Sequence, residues 1–230
     1  MERLKFADWN TIPYATAYSR QKEYFETAIQ NKAEGKPVDN TLILCEHPHV
    51  ITIGKNGNIS NLLFSEKTLK EKDVALFHID RGGDVTYHGP GQLVGYPILD
   101  LDAFGLSLKK YVFLLEESII ELLKLYNIEG NRLEGATGVW IDIDQPGKTR
   151  KICAIGIRSS RYVTMHGFAL NVNTDLEYFR LINPCGFVDK GVASMEKELG
   201  HPIDIQKLKQ LLFEILNKLL GQYRVANFYP

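Results

Sequence analysis

From residue 81 to residue 96 the chain reads RGGDVTYHGPGQLVGY, a stretch in which five glycines flank Arg, Thr, Tyr, His and Gln side chains. Glycine adopts positive φ and lets a backbone approach a ligand closely, so this run predicts a binding loop with main-chain donors beside Arg81, His88 and Gln92. A glycine-rich turn around a hydrogen-bonded His88 explains the run equally well when the stretch is considered alone. The sequence on either side must therefore be used to choose between the two interpretations.

Runs rich in β-branched residues surround this stretch and indicate strands. Apolar residues at steps of three and four predict a helix over 107–127 and another over 205–220, the latter capped by Asp204 and ended by Gly221, with a weaker pattern over 14–32. The strands cluster between the helices, which favours an α/β (α+β) fold with a mixed β-sheet packed by helices over a doubly wound parallel sheet. The predicted strands are 41–46, 50–54, 74–81, 91–99, 138–143, 150–158 and 162–172.

Composition limits the classes of protein to be considered. A chain of 230 residues with 44% apolar residues can bury a real core, and we expect a single domain over 1–230. The net charge of −1 provides no overall field for nucleic acid or an anionic membrane. The odd, sparse set of Cys45, Cys153 and Cys185, together with a start that lacks a secretory signal and the absence of a long apolar run, predicts a cytoplasmic protein that does not enter a membrane.

Two later segments carry residues suited to chemistry. Lys151 begins a predicted strand in which Lys151, Cys153 and Ile155 alternate with Ile152 and its successors, so that Cys153 is interpreted as a small core residue. Cys185 lies between proline and glycine in a tight turn, where a thiol is expected to be accessible and close to backbone donors. Considered singly, a lysine at a strand end is usually solvated and a lone cysteine is usually inert.

Sites for nucleotides and metals are not predicted. The run 147–149 ends like a phosphate-binding loop, but the glycine required five positions earlier is Asp142, and a strand follows instead of a helix. Cys45, His47 and His49 occupy alternate positions and could imitate a metal site, but Pro48 and the lack of a fourth ligand argue against it. We therefore expect no metal and no cofactor.

Four segments together resemble the octanoyltransferase family, also called lipoyl(octanoyl) transferases or the lipoate-protein ligase B type. The stretch 81–96 is similar to the family signature nearly letter for letter, and KICAIGIR at 151–158, HGFALNVN at 166–173 and NPCG at 183–186 follow in the family's order. The resemblance extends from about residue 42 to residue 195. One departure is Ala193, where relatives often carry threonine, and it leaves the hydrogen bonding around that position open.

The resemblance implies a catalytic domain with the fold of biotin and lipoate protein ligases. It implies transfer of an octanoyl group from octanoyl-acyl carrier protein to a lysine of a lipoyl domain, in 2-oxoacid dehydrogenase complexes and in the glycine cleavage H protein. Cys185 would be the nucleophile, and Lys151 would lower the pKa of its thiol and act as acid and base. The implied substrate-binding residues are Arg81, Gly82, Gly83, Asp84, Val85, Thr86, Tyr87, His88, Ala154, Ile155, Gly156, Gly167, Phe168 and Ala169.

Two other functions remain to be weighed against this one. An ATP-dependent lipoate or octanoate ligase on the same fold would use the glycine-rich loop and Lys151 but would need no thiol at Cys185. A lipoyl-domain-binding module without catalytic activity would need neither side chain. The partners are expected to be acidic, so we predict a basic docking patch formed by Lys148, Arg150, Arg158 and Arg161.

Overall fold

The computed structural model describes residues 4–183 and 190–228 of the chain. The helices are Tyr14–Ala33 (α1), Glu66–Glu71 (α2), Leu108–Lys124 (α3), Met195–Leu199 (α4) and Ile205–Phe228 (α5), with short 3₁₀ helices at Ile59–Asn61, Leu101–Phe104 and Leu176–Leu181. The strands are Lys5–Thr11 (β1), Thr41–Glu46 (β2), Val50–Ile53 (β3), Ala75–His78 (β4), Val85–His88 (β5), Gln92–Ile98 (β6), Asn131–Leu133 (β7), Ala136–Ile141 (β8), Arg150–Ser160 (β9), Val163–Asn171 (β10) and Gly191–Val192 (β11).

Two mixed sheets contain the strands of the described chain. The larger has the order β1-β2-β6-β10-β9-β8-β7, with β11 paired in parallel to the start of β9. The smaller has the order β4-β3-β5. The strands β9 and β10 form a hairpin whose two turn residues, Arg161 and Tyr162, both have positive φ, as a tight two-residue turn between twisted strands requires.

The large sheet is covered on both faces. Alternate residues of β2 point to opposite sides, so that Leu42 and Leu44 join the cluster formed with α3 and α5, whereas Ile43 and Cys45 join the cluster formed with α1. Helix α3 begins at the side-chain cap of Ser107, which accepts from the backbone N–H of Lys110. The large sheet thus lies between two apolar layers, and a separate apolar cluster packs on the small sheet.

The glycine-rich stretch 81–96 is neither a simple loop nor a hairpin. Its first half ends in β5 of the small sheet and its second half begins β6 of the large sheet, so that the chain crosses between sheets at 89–91. At Gly91, which has a φ of +77°, a Cβ would lie 2.3 Å from the carbonyl oxygen of Asn173. The predicted binding loop is therefore confined to the residues before β5.

Most predicted elements are present with shifted ends. The helices predicted over 14–32, 107–127 and 205–220 correspond to α1, α3 and α5, and Asp204 accepts from the first N–H groups of α5 as expected. The predicted end at Gly221 was wrong, because the helix continues through this residue to Phe228. The strand predicted over 74–81 is shorter, and β1, β5, β7, β11, α2 and α4 were not predicted. These elements are short or, like β1, lie at the edge of the sheet.

A buried ion pair joins the two ends of the described chain. The Nζ atom of Lys209 in α5 lies 2.8 and 3.0 Å from the carboxylate oxygens of Asp8 in β1, and the lysine side chain is 2% exposed. Removing the carboxylate leaves a buried ammonium without a counter-charge, which is far more unfavourable than removing an exposed charge.

We expect Asp8→Asn to lower the free energy of unfolding by about 3 kcal/mol, because the ammonium of Lys209 loses its partner. Lys209→Met removes the charge itself and is expected to cost no more than about 1 kcal/mol. Urea unfolding monitored by circular dichroism measures both. The matched control is Asp39→Asn, whose exposed pair with Lys5 is expected to contribute under about 0.5 kcal/mol. Equal losses for the Asp8 and Asp39 variants would contradict this account.

Candidate active site

A cavity of about 880 Å³ opens between β9, β10, the loop before β5 and the first turns of α3. This volume lies in the range that small-molecule sites occupy. Lys151 lines it, as do all the predicted substrate-binding residues except Tyr87. His166, which begins a strand that was expected to line a pocket, lines it too, and further lining comes from residues that were not predicted, namely Tyr14, Leu108, Lys109, Val112, Phe113, Glu116, Trp140 and Lys190, among others.

Lys151 is directed into the cavity by an irregularity in β9. Val139 of β8 is paired with Cys153, and the next residue, Trp140, is paired with Lys151, so that Ile152 is an extra residue in β9. A bulge of this kind changes the direction of the side chains beside it. Lys151 therefore lines the cavity while Cys153 packs in the core, and the predicted regular alternation of Lys151 with Cys153 was wrong at this point.

The loop before β5 is held by the side chain of Arg81. Its guanidinium donates to the carbonyl oxygens of Gly82 and Asp84 at 2.8 Å, and to Thr52 of β3 at 3.3 Å. The stem of Arg81 crosses β9 at Gly156, where a Cβ would lie 2.7 Å from Cδ of the arginine. Glycine at 156 therefore makes room for the loop, and Arg81 supports the cavity wall through contacts within the chain.

His88 presents a defined tautomer to the cavity. Gln92 donates from Nε2 to the carbonyl oxygen of Tyr87 and to Oδ1 of Asn171, so its Oε1 accepts from Nδ1–H of His88 at 2.8 Å. Asn171 is fixed in turn because its Nδ2 donates to the carbonyl oxygen of Ala193. Burial lowers the pKa of His88 to about 3. The ring is therefore neutral, with its Nε2 lone pair available as an acceptor, and it does not serve as an oxyanion donor through that atom.

Asp80 anchors the other side of the loop. Its carboxylate accepts from Nε2 of His166 at 2.9 Å and from the hydroxyl of Tyr18 at 3.1 Å, and it forms an ion pair with Arg158. The hydrogen bond from His166, with the nearby positive charge, holds the pKa of Asp80 well below its usual range. His166 adopts a φ of +61°, so this contact fixes a residue in an uncommon backbone conformation.

Tyr87 does not contribute to the cavity. It is fully buried against the 3₁₀ helix Leu176–Leu181, and its hydroxyl lies 2.7 Å from Nδ1 of His49. Thr86 and His88 line the cavity, as does Val85 at the start of β5, whereas the ring of Tyr87 packs against Tyr178 and Phe179 on the other side of the strand. The structure therefore gives no support to the prediction that Tyr87 binds substrate.

The three cysteines fall into two groups. Cys45 and Cys153 are fully buried, and burial raises the pKa of each thiol above its ordinary value. Cys185, the predicted nucleophile, lies outside the described residues. The chain returns from there through Lys190, which lines the cavity, to Val192, which is paired in register with Lys151.

Residues 191–193 are bonded to β9 and β10 through their main chain. The N–H of Ala193 donates to the carbonyl oxygen of Lys151 at 2.9 Å, and its own carbonyl accepts from Asn171. The buried alanine side chain takes no part in these bonds. The departure from threonine at this position therefore leaves the local main-chain hydrogen bonds in place.

The predicted docking patch is not supported at two of its four positions. Arg150 is paired with Asp142 and Glu198, and Arg158 is paired with Asp80. Because these charges are compensated within the chain, they contribute little to the attraction of an acidic partner.

Other functional candidates were not predicted because their signal is not local. Trp140 contacts Lys151 only through the register of β8 and β9. Glu116 lies on the predicted helical stretch of α3, and its Oε1 accepts from the N–H of Gly138 at 3.1 Å. A glutamate among the apolar residues of a predicted helix is the one sequence signal that could have indicated its importance.

The sequence predicted neither a metal site nor a membrane span. Among residues 4–183 and 190–228, no group of three or more His, Cys, Asp and Glu side chains could hold a metal ion. Of the potential ligands considered, His47 is bonded to the carbonyl oxygen of Ile12 and to Tyr96, whereas His49 is bonded to Tyr87. Within the same described ranges, the helices are too short or too polar to cross a bilayer.

Known proteins identify the family. The sequence profile of the lipoyl protein ligase A/B catalytic domain matches residues 14–217. This chain belongs to that family. A protein of Parabacteroides distasonis named octanoyltransferase is 56% identical over 221 residues, which is 96% of this chain and all of the relative. Another octanoyltransferase, from Bacteroides thetaiotaomicron, is 57% identical and covers 94% of each chain. These relatives confirm the predicted family and the prediction of an acyltransferase.

Solved structures of lipoate and biotin protein ligases share the fold at low identity. A bipartite lipoate protein ligase of Thermoplasma acidophilum has a TM-score of 0.70 and 14% identity, over 96% of this chain and 85% of that one. A lipoate-protein ligase A bound with ATP has a TM-score of 0.68 and 15% identity, over 95% and 86%. Biotin protein ligase of Aquifex aeolicus has a TM-score of 0.52 and 13% identity, over 97% and 71%. The predicted fold class is thereby confirmed.

The neutral state of His88 has a measurable consequence. An unfolded histidine has a pKa near 6.5, whereas folded His88 titrates at about 3, so below pH 6.5 the unfolded chain binds a proton that the folded protein does not. Stability is therefore lost as the pH falls below 6.5.

We expect the pH dependence of unfolding to be weaker in His88→Gln than in the wild type. The wild type should lose about 2 kcal/mol more than the variant between pH 7 and pH 5, because glutamine has no proton to gain in the unfolded chain. Urea unfolding at the two pH values measures this difference. Buried His47 is present in both proteins, so its contribution cancels. Parallel losses in the two proteins would show that His88 is protonated in the folded state.

Proposed function

We propose that this protein transfers an octanoyl group from octanoyl-acyl carrier protein to the ε-amine of a lysine on lipoyl domains, through a thioester on Cys185. The observation that carries the proposal is the cavity, which places Lys151 beside small and aliphatic residues suited to an acyl chain. High identity to octanoyltransferases supports the same reaction. We further propose that the whole chain acts as one catalytic domain, because the family profile covers most of it.

The first half-reaction would load the enzyme. A thiol is mostly protonated at neutral pH, and a nearby ammonium favours the thiolate. The Cys185 thiolate attacks the carbonyl carbon of the octanoyl thioester, and the bond from that carbon to the carrier sulfur breaks. Lys151 donates a proton to the departing carrier thiolate and becomes neutral. A thioester is already activated, so this exchange consumes no nucleotide.

The second half-reaction would transfer the acyl group. The amine of the acceptor lysine attacks the Cys185 thioester, an amide bond forms, and the bond from carbon to the cysteine sulfur breaks. Neutral Lys151 accepts the proton that the amine loses, which restores the ammonium beside the thiolate. Each tetrahedral intermediate carries an oxyanion that needs preorganised donors. The main chain near Gly156 supplies candidates, since Gly156 lines the cavity in β9.

The partners proposed are proteins that present a long flexible group to the cavity. The donor would be octanoyl-acyl carrier protein, and the acceptors would be lipoyl domains of 2-oxoacid dehydrogenase complexes and the glycine cleavage H protein. Lys109 and Lys190 line the cavity and add positive charge there. They replace Arg150 and Arg158 as candidates for contacts with an acidic partner. The cytoplasmic location of this reaction stays a prediction.

An ATP-dependent ligase is the second candidate function, because ligases share the fold. These ligases are 14–15% identical to the chain, whereas the octanoyltransferases are 56–57% identical. A low identity supports the fold alone. Transfer from a thioester is therefore the better supported reaction, and a binding module without activity is the least supported.

We expect the wild-type protein, mixed with octanoyl-acyl carrier protein without ATP, to gain the mass of one octanoyl group that hydroxylamine removes. Cys185→Ser should give no hydroxylamine-sensitive adduct, and Lys151→Ala should form the adduct at least about 100-fold more slowly, because it lacks the acid and the charge. Intact mass spectrometry over a time course measures all three.

The matched control is Cys153→Ala, which removes a buried thiol and should still form the adduct. An adduct that forms on Cys185→Ser but not on Cys153→Ala would show that Cys153, and not Cys185, is the nucleophile. Acylation of a lipoyl domain only with ATP and free octanoate would replace the transferase by the ligase.

A further inference from the structure

Trp140 forms one wall of the space that Lys151 occupies. The two residues are direct cross-strand partners in β8 and β9, and Nζ of the lysine lies 4.5 Å from the centroid of the indole ring. The ring is 1% exposed, and its Nε1–H donates to the carbonyl oxygen of Ala136 at 2.8 Å. The indole is therefore held in one orientation, with its face toward the ammonium.

The stem of Lys151 is bounded by a second feature of β8. Gly138 has a φ of +125°, and a Cβ there would lie 3.5 Å from Cε of Lys151. Its N–H donates to buried Glu116, which also accepts from Nε of Arg132 at 3.0 Å. The main chain at Gly138 is thus fixed from behind, and the lysine lies between that main chain and the indole.

An indole face interacts differently with the two protonation states of a lysine. Its quadrupole places negative charge on the face, which attracts an ammonium and gives a neutral amine little in return. Tryptophan is the strongest of the aromatic residues in this interaction, and the contact strengthens when it is removed from water. The ring at this position therefore favours the state of Lys151 in which the side chain carries a proton and a charge.

We propose that Trp140 is a positioning residue for the acyl transfer, which holds the charged side chain of Lys151 in the cavity through its indole face. This inference rests on the proposed function, in which the ammonium of Lys151 promotes the thiolate of Cys185. Trp140 acts through Lys151 and needs no contact with the substrate. Fully buried, it also fills space, so the test must separate its electrostatic role from its volume.

Fluorinated tryptophans provide that separation. Fluorine withdraws charge from the ring face in steps while the ring shape and the Nε1–H bond to Ala136 stay nearly constant. The chain has two tryptophans, so Trp9→Phe makes Trp140 the sole site of incorporation. Trp9 lies in β1 beside Arg20 and Tyr24, outside the residues that line the cavity, and its replacement should leave activity unchanged.

The measurement is the rate of alkylation of the protein by iodoacetamide across pH, in the full-length Trp9→Phe protein with zero, one, two and four ring fluorines. Cys45 and Cys153 are fully buried, and Cys185→Ser supplies the background rate. The rate at neutral pH should fall stepwise with fluorination, by about tenfold in total, because a weaker ring face holds the ammonium of Lys151 less often at the position from which it favours the thiolate. The plateau at high pH should be unchanged, because the thiol is then fully ionised in every protein.

Neutral-pH rates that are equal within twofold across the fluorinated series would overturn the role of Trp140. If Trp140→Leu alone then lowered the rate, the loss would reflect the missing volume of the ring. Lys151→Met in the same background separates this result from failure of the proposed function. It should lower the neutral-pH rate in the unfluorinated protein and abolish the dependence on fluorine. An unchanged profile in Lys151→Met would show that the lysine does not act on the thiol, and this result would overturn the proposed dyad of Cys185 and Lys151. A rate that depends on Lys151 but not on fluorine would overturn only the inference about Trp140.

Discussion

The carboxylate of Asp80 is the interaction on which the rest of the site depends. It accepts from Tyr18 of α1 and His166 of β10 and is paired with Arg158 of β9, so a single acidic group joins three elements at the base of the loop that follows it. A partly buried charge shared among several donors is strongly favourable only when all of them are present. The loop at 81–84 therefore has one well-defined position against β9, and the cavity inherits its shape from that position.

A second constraint acts on the opposite side of the cavity. The bulge at Ile152 separates the direction of Lys151 from that of Cys153, one residue going to the cavity and the other to the core. The two constraints are independent, since one is electrostatic and the other is a matter of strand register. Together they bring residues from widely spaced parts of the chain into one site.

The helices and the long strands could be predicted because their signal is local. The apolar stripe of α3 lies within one helix, and the cap at Asp204 directly precedes α5, so a short stretch of sequence predicts each of them. The structure agrees with both. The crossing of the chain between two sheets at 89–91 has no such signal, since a turn of the same composition could equally join neighbouring strands. The end of α5 was misjudged at Gly221 because a glycine within a helix costs only about 1 kcal/mol and does not by itself end the helix.

The same difference between local and non-local signals explains which site residues could be predicted. Lys151 and the residues around 81–88 lie in segments long enough to resemble a family, and the structure places nearly all of them at the cavity. Trp140, Asp80 and Glu116 act through partners that are distant in sequence or set by register, and no pattern around each one shows the contact. The identity of Tyr87 as an inward-facing core residue follows from alternation along β5, which could be applied only after that strand was known.

The pairing of Gly156 with Gly167 across β9 and β10 has a consequence for how such an enzyme can diversify. Both residues line the cavity, and a Cβ at either would collide with Arg81 or with the main chain at Gly95. At these two positions the wall is therefore made of backbone, and a substitution there cannot enlarge the cavity. On the facing side, Val112 and Phe113 of α3 line the cavity with side chains that can be shortened. The volume of the cavity can therefore be changed by substitutions in one helix, but not at the paired glycines of the sheet.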